Sequence, residues 1–156
     1  MDVASRKKQH PMINLHHTLT LDTDKGVGLI DITDQIRDWL AAEHVEEGMV
    51  AVTSRHTTTA LTINENEARL LDDVRQFLHR FAPPDHPYLH NDIHLRDCPQ
   101  DEPENAHSHL CAMMLGSSEV ISVSSGDLLL GQWQSVMLVE LDGPRTRSVG
   151  LQFLGE

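Results

Sequence analysis

The sequence predicts an α+β domain made mostly of antiparallel β-sheet, arranged as sheets or a sandwich with two main helices. Short apolar runs of period two dominate both ends of the chain, and turn residues join them into hairpins. Two amphipathic helical stretches interrupt these strands rather than alternating with them, which argues against a doubly wound parallel fold.

Residues 1–12 read as a flexible tail, polar and basic around Arg6-Lys7-Lys8, and 13–156 as one domain. Ile13, Leu15, His17, Leu19 and Leu21 alternate with polar residues and form the first strand. Asp24-Lys25-Gly26 supplies a turn, and Leu29-Ile30-Asp31-Ile32 reads as a second strand, paired with the first as a hairpin. Thr33 reads as an N-cap, with Ile36, Trp39 and Leu40 on one face of a helix that stops at Gly48. Met49 to Ser54 is a short β-branched strand, and Thr57 to Ile63 continues extended. Asn64 reads as the next N-cap. Ala68, Leu71, Val74, Leu78 and Phe81, three and four apart, form a second helix that Pro83-Pro84 ends.

From Pro83 to Asn105 no period is sustained, and Pro87, Pro99 and Pro103 add further breaks. A loop of this length inside a compact domain is more often functional than accidental, so it reads as the lip of a site. Leu110, Met113, Met114 and Leu115 predict a short helix or turn closed by Gly116. Val120 to Val123 is then a strand ended by Ser124-Ser125-Gly126-Asp127. Trp133 to Leu141 and Thr146 to Phe153 are the last strands, joined by Asp142-Gly143-Pro144-Arg145.

A chain of 156 residues buries a core without disulfides or structural metals. No stretch approaches the roughly 20 apolar residues of a membrane span, and the start lacks the apolar segment of a secretory signal. The expected compartment is the cytoplasm, with Cys98 and Cys111 as free thiols. Twenty-four acidic residues against 12 basic give a formal net charge of -12. That field repels a phosphate backbone, so nucleic acid is not an expected partner.

Eleven histidines point instead to metal binding or proton transfer. His56 lies in the run Arg55-His56-Thr57-Thr58-Thr59, where a strand leaves the core, and reads as a ligand, a proton carrier or a capped strand end. His90 and His94 lie in the irregular segment near Asp92. His107 and His109, two apart, share one side if the segment is extended. Arg145 and Arg147 either grip a phosphate or carboxylate with their forked guanidinium groups or neutralise Glu140 and Asp142 as surface pairs.

At these residues the sequence resembles the YjbQ-like family, often labelled secondary thiamine-phosphate synthase. The resemblance runs from about Ile13 to the end. It is carried by His56 to Asn66, Tyr88-Leu89-His90, Ala106-His107, Leu115-Gly116-Ser117-Ser118, Gly131-Gln132-Trp133-Gln134 and Glu140. It implies a homotrimer with histidine-lined pockets at the subunit junctions and a divalent metal. The ion would be zinc or similar, or magnesium if pyrophosphate is the leaving group. It also implies weak thiamine-phosphate synthase activity, joining a pyrimidine diphosphate to a thiazole phosphate.

Carried over by position, His56, His90, His107 and Glu140 are the expected catalytic residues. The same three histidines are the expected metal ligands. Asn64, Glu65, Trp133, Gln134, Arg145 and Arg147 are the expected substrate-binding residues. Many members have lysine where His109 stands, and the segment from Asp92 to Asn105 is longer than in typical members, which alters the pocket entrance. The expected function is a metal-assisted enzyme acting on a phosphorylated small molecule; the alternative is a non-catalytic metal- or anion-binding oligomeric module.

Overall fold

The computed structural model describes residues 11–156, so the tail expected over 1–12 lies outside the described residues except for Pro11 and Met12. The strands and α-helices run β1 (Ile13–Asp22), β2 (Gly26–Asp31), α1 (Thr33–Ala42), β3 (Gly48–Ser54), β4 (Thr59–Asn64), α2 (Ala68–Phe81), α3 (Ala106–Leu115), β5 (Ser118–Ser124), β6 (Asp127–Leu128), β7 (Ser135–Gly143) and β8 (Thr146–Gly155). They build an antiparallel five-stranded sheet, β1-β8-β3-β5-β6, and an antiparallel three-stranded sheet, β2-β7-β4. The fold class is α+β. Among the described residues no helix is long and apolar enough to cross a membrane.

The core has two layers, and β7 belongs to both. Val136 and Leu138 face Val50, Val52, Val149, Leu151 and Phe153 of the five-stranded sheet, with Ile36 and Leu40 of α1. Val139 and Leu141 point the other way, onto Leu78 of α2 and Cys111 and Ala112 of α3. Each such side chain contributes about 1.5–3 kcal/mol when fully buried.

The expected β1–β2 hairpin does not form. β1 pairs with β8 along its whole length, from Ile13 opposite Gly155 to Asp22 opposite Thr146, while β2 pairs with β7 in the other sheet. The intervening turn is tied to a corner between the sheets: Thr23 donates its N–H to the Arg145 carbonyl and its hydroxyl to Glu140.

Helix starts also differ from expectation. Thr33 is the first residue of α1 and caps nothing; its hydroxyl donates to Asp31 and accepts from the Val136 N–H, stapling the helix to β7. α1 ends at Ala42, well before Gly48, and Val45 of the connection enters the core. Glu67, not Asn64, caps α2, accepting from the N–H groups of Arg69 and Leu70. The short helix or turn expected around Leu110 is a helix of ten residues, the third of the fold.

Candidate functional site

Residues 55–58 carry the chain from β3 in one sheet to β4 in the other, and several polar groups pin this crossing. Arg55 donates its N–H to the Ser148 carbonyl, His56 donates its N–H to the Ser54 hydroxyl, and the Thr58 carbonyl accepts from the Leu141 N–H. The Ser54 hydroxyl is in turn bonded to that of Thr59. The backbone N–H of Ser148 donates to His56 Nε2 at 2.8 Å. An imidazole nitrogen that accepts carries no proton, so this bond selects the neutral ring with its hydrogen on Nδ1. Burial and the charge of Arg147 hold the His56 pKa below the ordinary histidine value, against the opposing effect of Glu140.

Beneath the crossing lies a buried ion pair. Arg147 Nε and Nη2 donate to the two Glu140 carboxylate oxygens, each at 2.6 Å, and Nη2 also donates to Thr58 Oγ1. Thr23 and the Asp142 N–H complete the carboxylate's partners. Burial pushes the Glu140 pKa up, but the bonds from Arg147, Thr23 and Asp142 and the Arg147 charge outweigh it and leave the carboxyl below its ordinary value. Every oxygen of this carboxylate is occupied. Glu140, expected as a catalytic residue, and Arg147, expected to bind substrate, are thus bonded to each other in this structure. A signal for this was in the sequence: Arg147 has the strand parity of Val149, Leu151 and Phe153, and Glu140 that of Val136 and Leu138, so both point into the inter-sheet layer.

α3 places the remaining histidines. Ser108 bonds the Leu141 carbonyl, Cys111 and Ala112 are buried against the three-stranded sheet, and His109 is left facing the crossing. Because the segment is helical, His107 and His109 lie roughly 200° apart around the axis and not on one side. His109 meets His90 edge to face, with ring centroids 4.9 Å apart. Burial and His90 lower its pKa, with Asp142 opposing. Burial lowers the His107 pKa, Asp142 raises it and His79 lowers it, and its Nδ1 is buried without a hydrogen-bond partner among the described residues. His90 itself sits in the 3-10 turn Leu89–Asn91, where Arg96 bonds its carbonyl and Asn91 accepts from the Ala106 N–H at the start of α3. The irregular segment is thus fastened to the helix that carries His109.

Two clefts meet at the crossing. One, of about 500 Å³, is lined by Ser54, Ala112 and Met113; the other, of about 720 Å³, by Thr58, Asn105, Asp142 and Arg145; Arg55, His56, Thr57 and His109 line both. Arg145 reaches Asp142 through Nη2 at 2.9 Å and through Nε. Arg55 belongs to the run that holds His56, but nothing local in the sequence marks it as a cleft residue.

The other expected residues lie elsewhere. Asn64 and Glu65 line a smaller apolar cavity of about 160 Å³ under α2, and Trp133 and Gln134 precede β7, whose Ser135 is opposite Asn64. His56 precedes the other end of β4, so the two groups are separated by the strand's length, roughly 17 Å at about 3.4 Å per residue. Among the described residues, His56, His90 and His107 are not grouped as a metal centre. His56 Nε2 is taken by Ser148 and His107 faces away from His109, and among the described residues no three His, Cys, Asp or Glu side chains are grouped to hold an ion.

A family model described as UPF0047 protein YjbQ-like matches residues 17–156. A UPF0047 protein of Archaeoglobus fulgidus is 44% identical over 84% of this chain and 94% of its own. Another, of Methanothermobacter thermautotrophicus, is 41% identical over 88% and 90%. A crystal structure of a YbjQ-like protein of unknown function from Sulfolobus solfataricus superposes with a TM-score of 0.84 at 34% identity, covering 94% of this chain and all of that one.

Proposed function

The chain belongs to the UPF0047 YjbQ-like family, and on that premise we propose that it is a cytoplasmic enzyme acting on a phosphorylated small molecule in the paired clefts around His56. The state of His56 carries the reading. Its Nε2 is anchored by the Ser148 N–H in a pinned crossing, which leaves the Nδ1–H for the clefts that the ring lines. A neutral imidazole so held can donate a hydrogen bond from Nδ1 to a phosphoryl oxygen, and His109, whose pKa is also lowered, faces the same space. Arg145, though paired with Asp142, adds a guanidinium at the rim of one cleft.

Thiamine-phosphate synthesis is the reaction of this class that the family resemblance implies. Both of its substrates carry phosphate, and two adjoining clefts offer room for two ligands. Purified protein given both substrates should form product in proportion to enzyme, and folded His56→Ala should lose it. Absence of product above the uncatalysed level removes this reaction, and a panel of phosphate esters and lactones then tests hydrolysis.

The homotrimer belongs to the same proposal. Two groups of expected site residues lie at opposite ends of the three-stranded sheet, and a head-to-tail ring would bring one end of each copy to the other end of its neighbour. A zinc-like ion, or magnesium for a pyrophosphate leaving group, would then need ligands from two copies. Light scattering and metal analysis test both; a monomer at micromolar concentration removes them. One observation favours a non-catalytic anion-binding module instead. Two carboxylates near His56 are engaged, Glu140 with Arg147 and Asp142 with Arg145 and Asn105, although Glu102 also lines the cleft. Phosphate binding without turnover of any substrate would select that reading.

A further inference from the structure

We infer that Arg55 is the residue that grips the ligand's phosphoryl group, and that Gly150 is the seat that holds its guanidinium beside His56. The inference rests on the proposed phosphorylated ligand and names the group that recognises it.

Three arginines border the clefts. Arg147 is buried and spent on Glu140, and Arg145 is bonded to Asp142. The Arg55 side chain has no carboxylate or hydrogen-bond partner among the described residues, yet it is the arginine common to both clefts. In a chain of net charge -12, an uncompensated guanidinium next to a neutral imidazole is a local attraction for an anion, and its fork matches phosphoryl oxygens.

Gly150 gives the second observation. It lies inside β8, the strand between β1 and β3, opposite Thr18 on one side and Thr53 on the other. Glycine weakens a strand interior and marks a close approach by another group. Here the approaching group is Arg55: a Cβ on Gly150 would lie 3.1 Å from Nη2, 3.2 Å from Nε and 3.6 Å from Cζ. The guanidinium therefore rests on the backbone of the strand that also supplies the Ser148 N–H to His56. A Cβ at 150 would crowd it and press it away from the strand.

The test is calorimetric titration of the wild type and of Arg55→Ala, Arg55→Lys, Gly150→Ala and His56→Ala with inorganic pyrophosphate, inorganic phosphate and acetate, with circular dichroism to confirm folding. Loss of a charge-assisted fork should weaken phosphate and pyrophosphate binding about ten- to hundredfold in Arg55→Ala, and lysine should restore only part of it. Gly150→Ala should remain folded, because the added methyl meets the mobile end of a side chain, and should weaken binding severalfold. Acetate should bind more weakly than phosphate throughout. Wild-type affinity in Arg55→Ala and Gly150→Ala, with loss in His56→Ala, would overturn the role of Arg55 and leave the proposed function standing. Acetate binding as tight as phosphate would overturn the phosphoryl assignment. A wild type that binds neither phosphate nor pyrophosphate would remove both readings.

Discussion

Replacing Glu140 with leucine would leave the Arg147 guanidinium, 3% exposed, with Thr58 as its remaining side-chain partner. The same change removes the acceptor of Thr23 and of the Asp142 N–H. Breaking a buried pair from one side costs about 3–5 kcal/mol, because the surviving charge can neither reach water nor find a counter-charge. With a urea slope of about 2 kcal/mol/M, the unfolding midpoint should fall by roughly 1.5–2.5 M. Arg147→Met should cost less and lose its penalty as pH falls, because the stranded carboxyl can take up a proton. The double variant should lie near the wild type, giving a coupling of at least about 2 kcal/mol in the mutant cycle. A single-variant cost below about 1 kcal/mol, or strict additivity, would refute the reasoning. In the wild type the Glu140 pKa is lowered, so its stabilisation is complete above the ordinary carboxyl value of about 4.3 and is lost as pH falls through the depressed folded value.

His56, His107 and His109 all have lowered pKa values, so the unfolded chain binds their protons first. Stability should decline as pH drops through about 6.5 and on toward the folded values; thermal melts between pH 7.5 and 5 read the slope, and a flat profile would count against the assignment. Asn91→Ala removes the acceptor of the Ala106 N–H at the start of α3. It should cost about 1 kcal/mol in urea unfolding and speed amide exchange in 83–105, whereas unchanged exchange would separate that segment from α3. Gly48→Ala should destabilise by about 1–3 kcal/mol or more, since a Cβ there overlaps the Leu154 carbonyl oxygen; a wild-type melting curve would contradict the close strand packing. Cys111 is buried and its thiol pKa is raised by desolvation, so a thiol reagent should label Cys98 first and Cys111 only on unfolding.

Local periodicity made much of the fold legible. The alternation of Ile13, Leu15, Leu19 and Leu21 marks β1, the spacing of Leu71, Val74 and Leu78 marks α2, and Ser124 to Asp127 contains the turn between β5 and β6. Each signal depends on neighbours within one or two turns of chain, which is where side-chain direction is set. Partner choice has no such local cause. β2 follows β1 closely yet pairs with β7, a buried strand whose backbone N–H and C=O groups need a partner along each edge.

The same division runs through the site. Residue types and family motifs by themselves determined that the chain is an acidic α+β member of the YjbQ-like family, and that His56, on the run between β3 and β4, belongs to its distinctive positions. Only the tertiary structure decided which groups surround that histidine. It turned His107 away and His109 inward through the helical twist of α3, and it spent Arg147 on Glu140. It also fixed the His56 tautomer with a backbone N–H that carries no residue identity, and laid Arg55 on Gly150, 95 positions further along. The physical reason is that periodicity specifies the face a side chain occupies, whereas protonation state and charge pairing depend on groups brought together across two sheets and a helix.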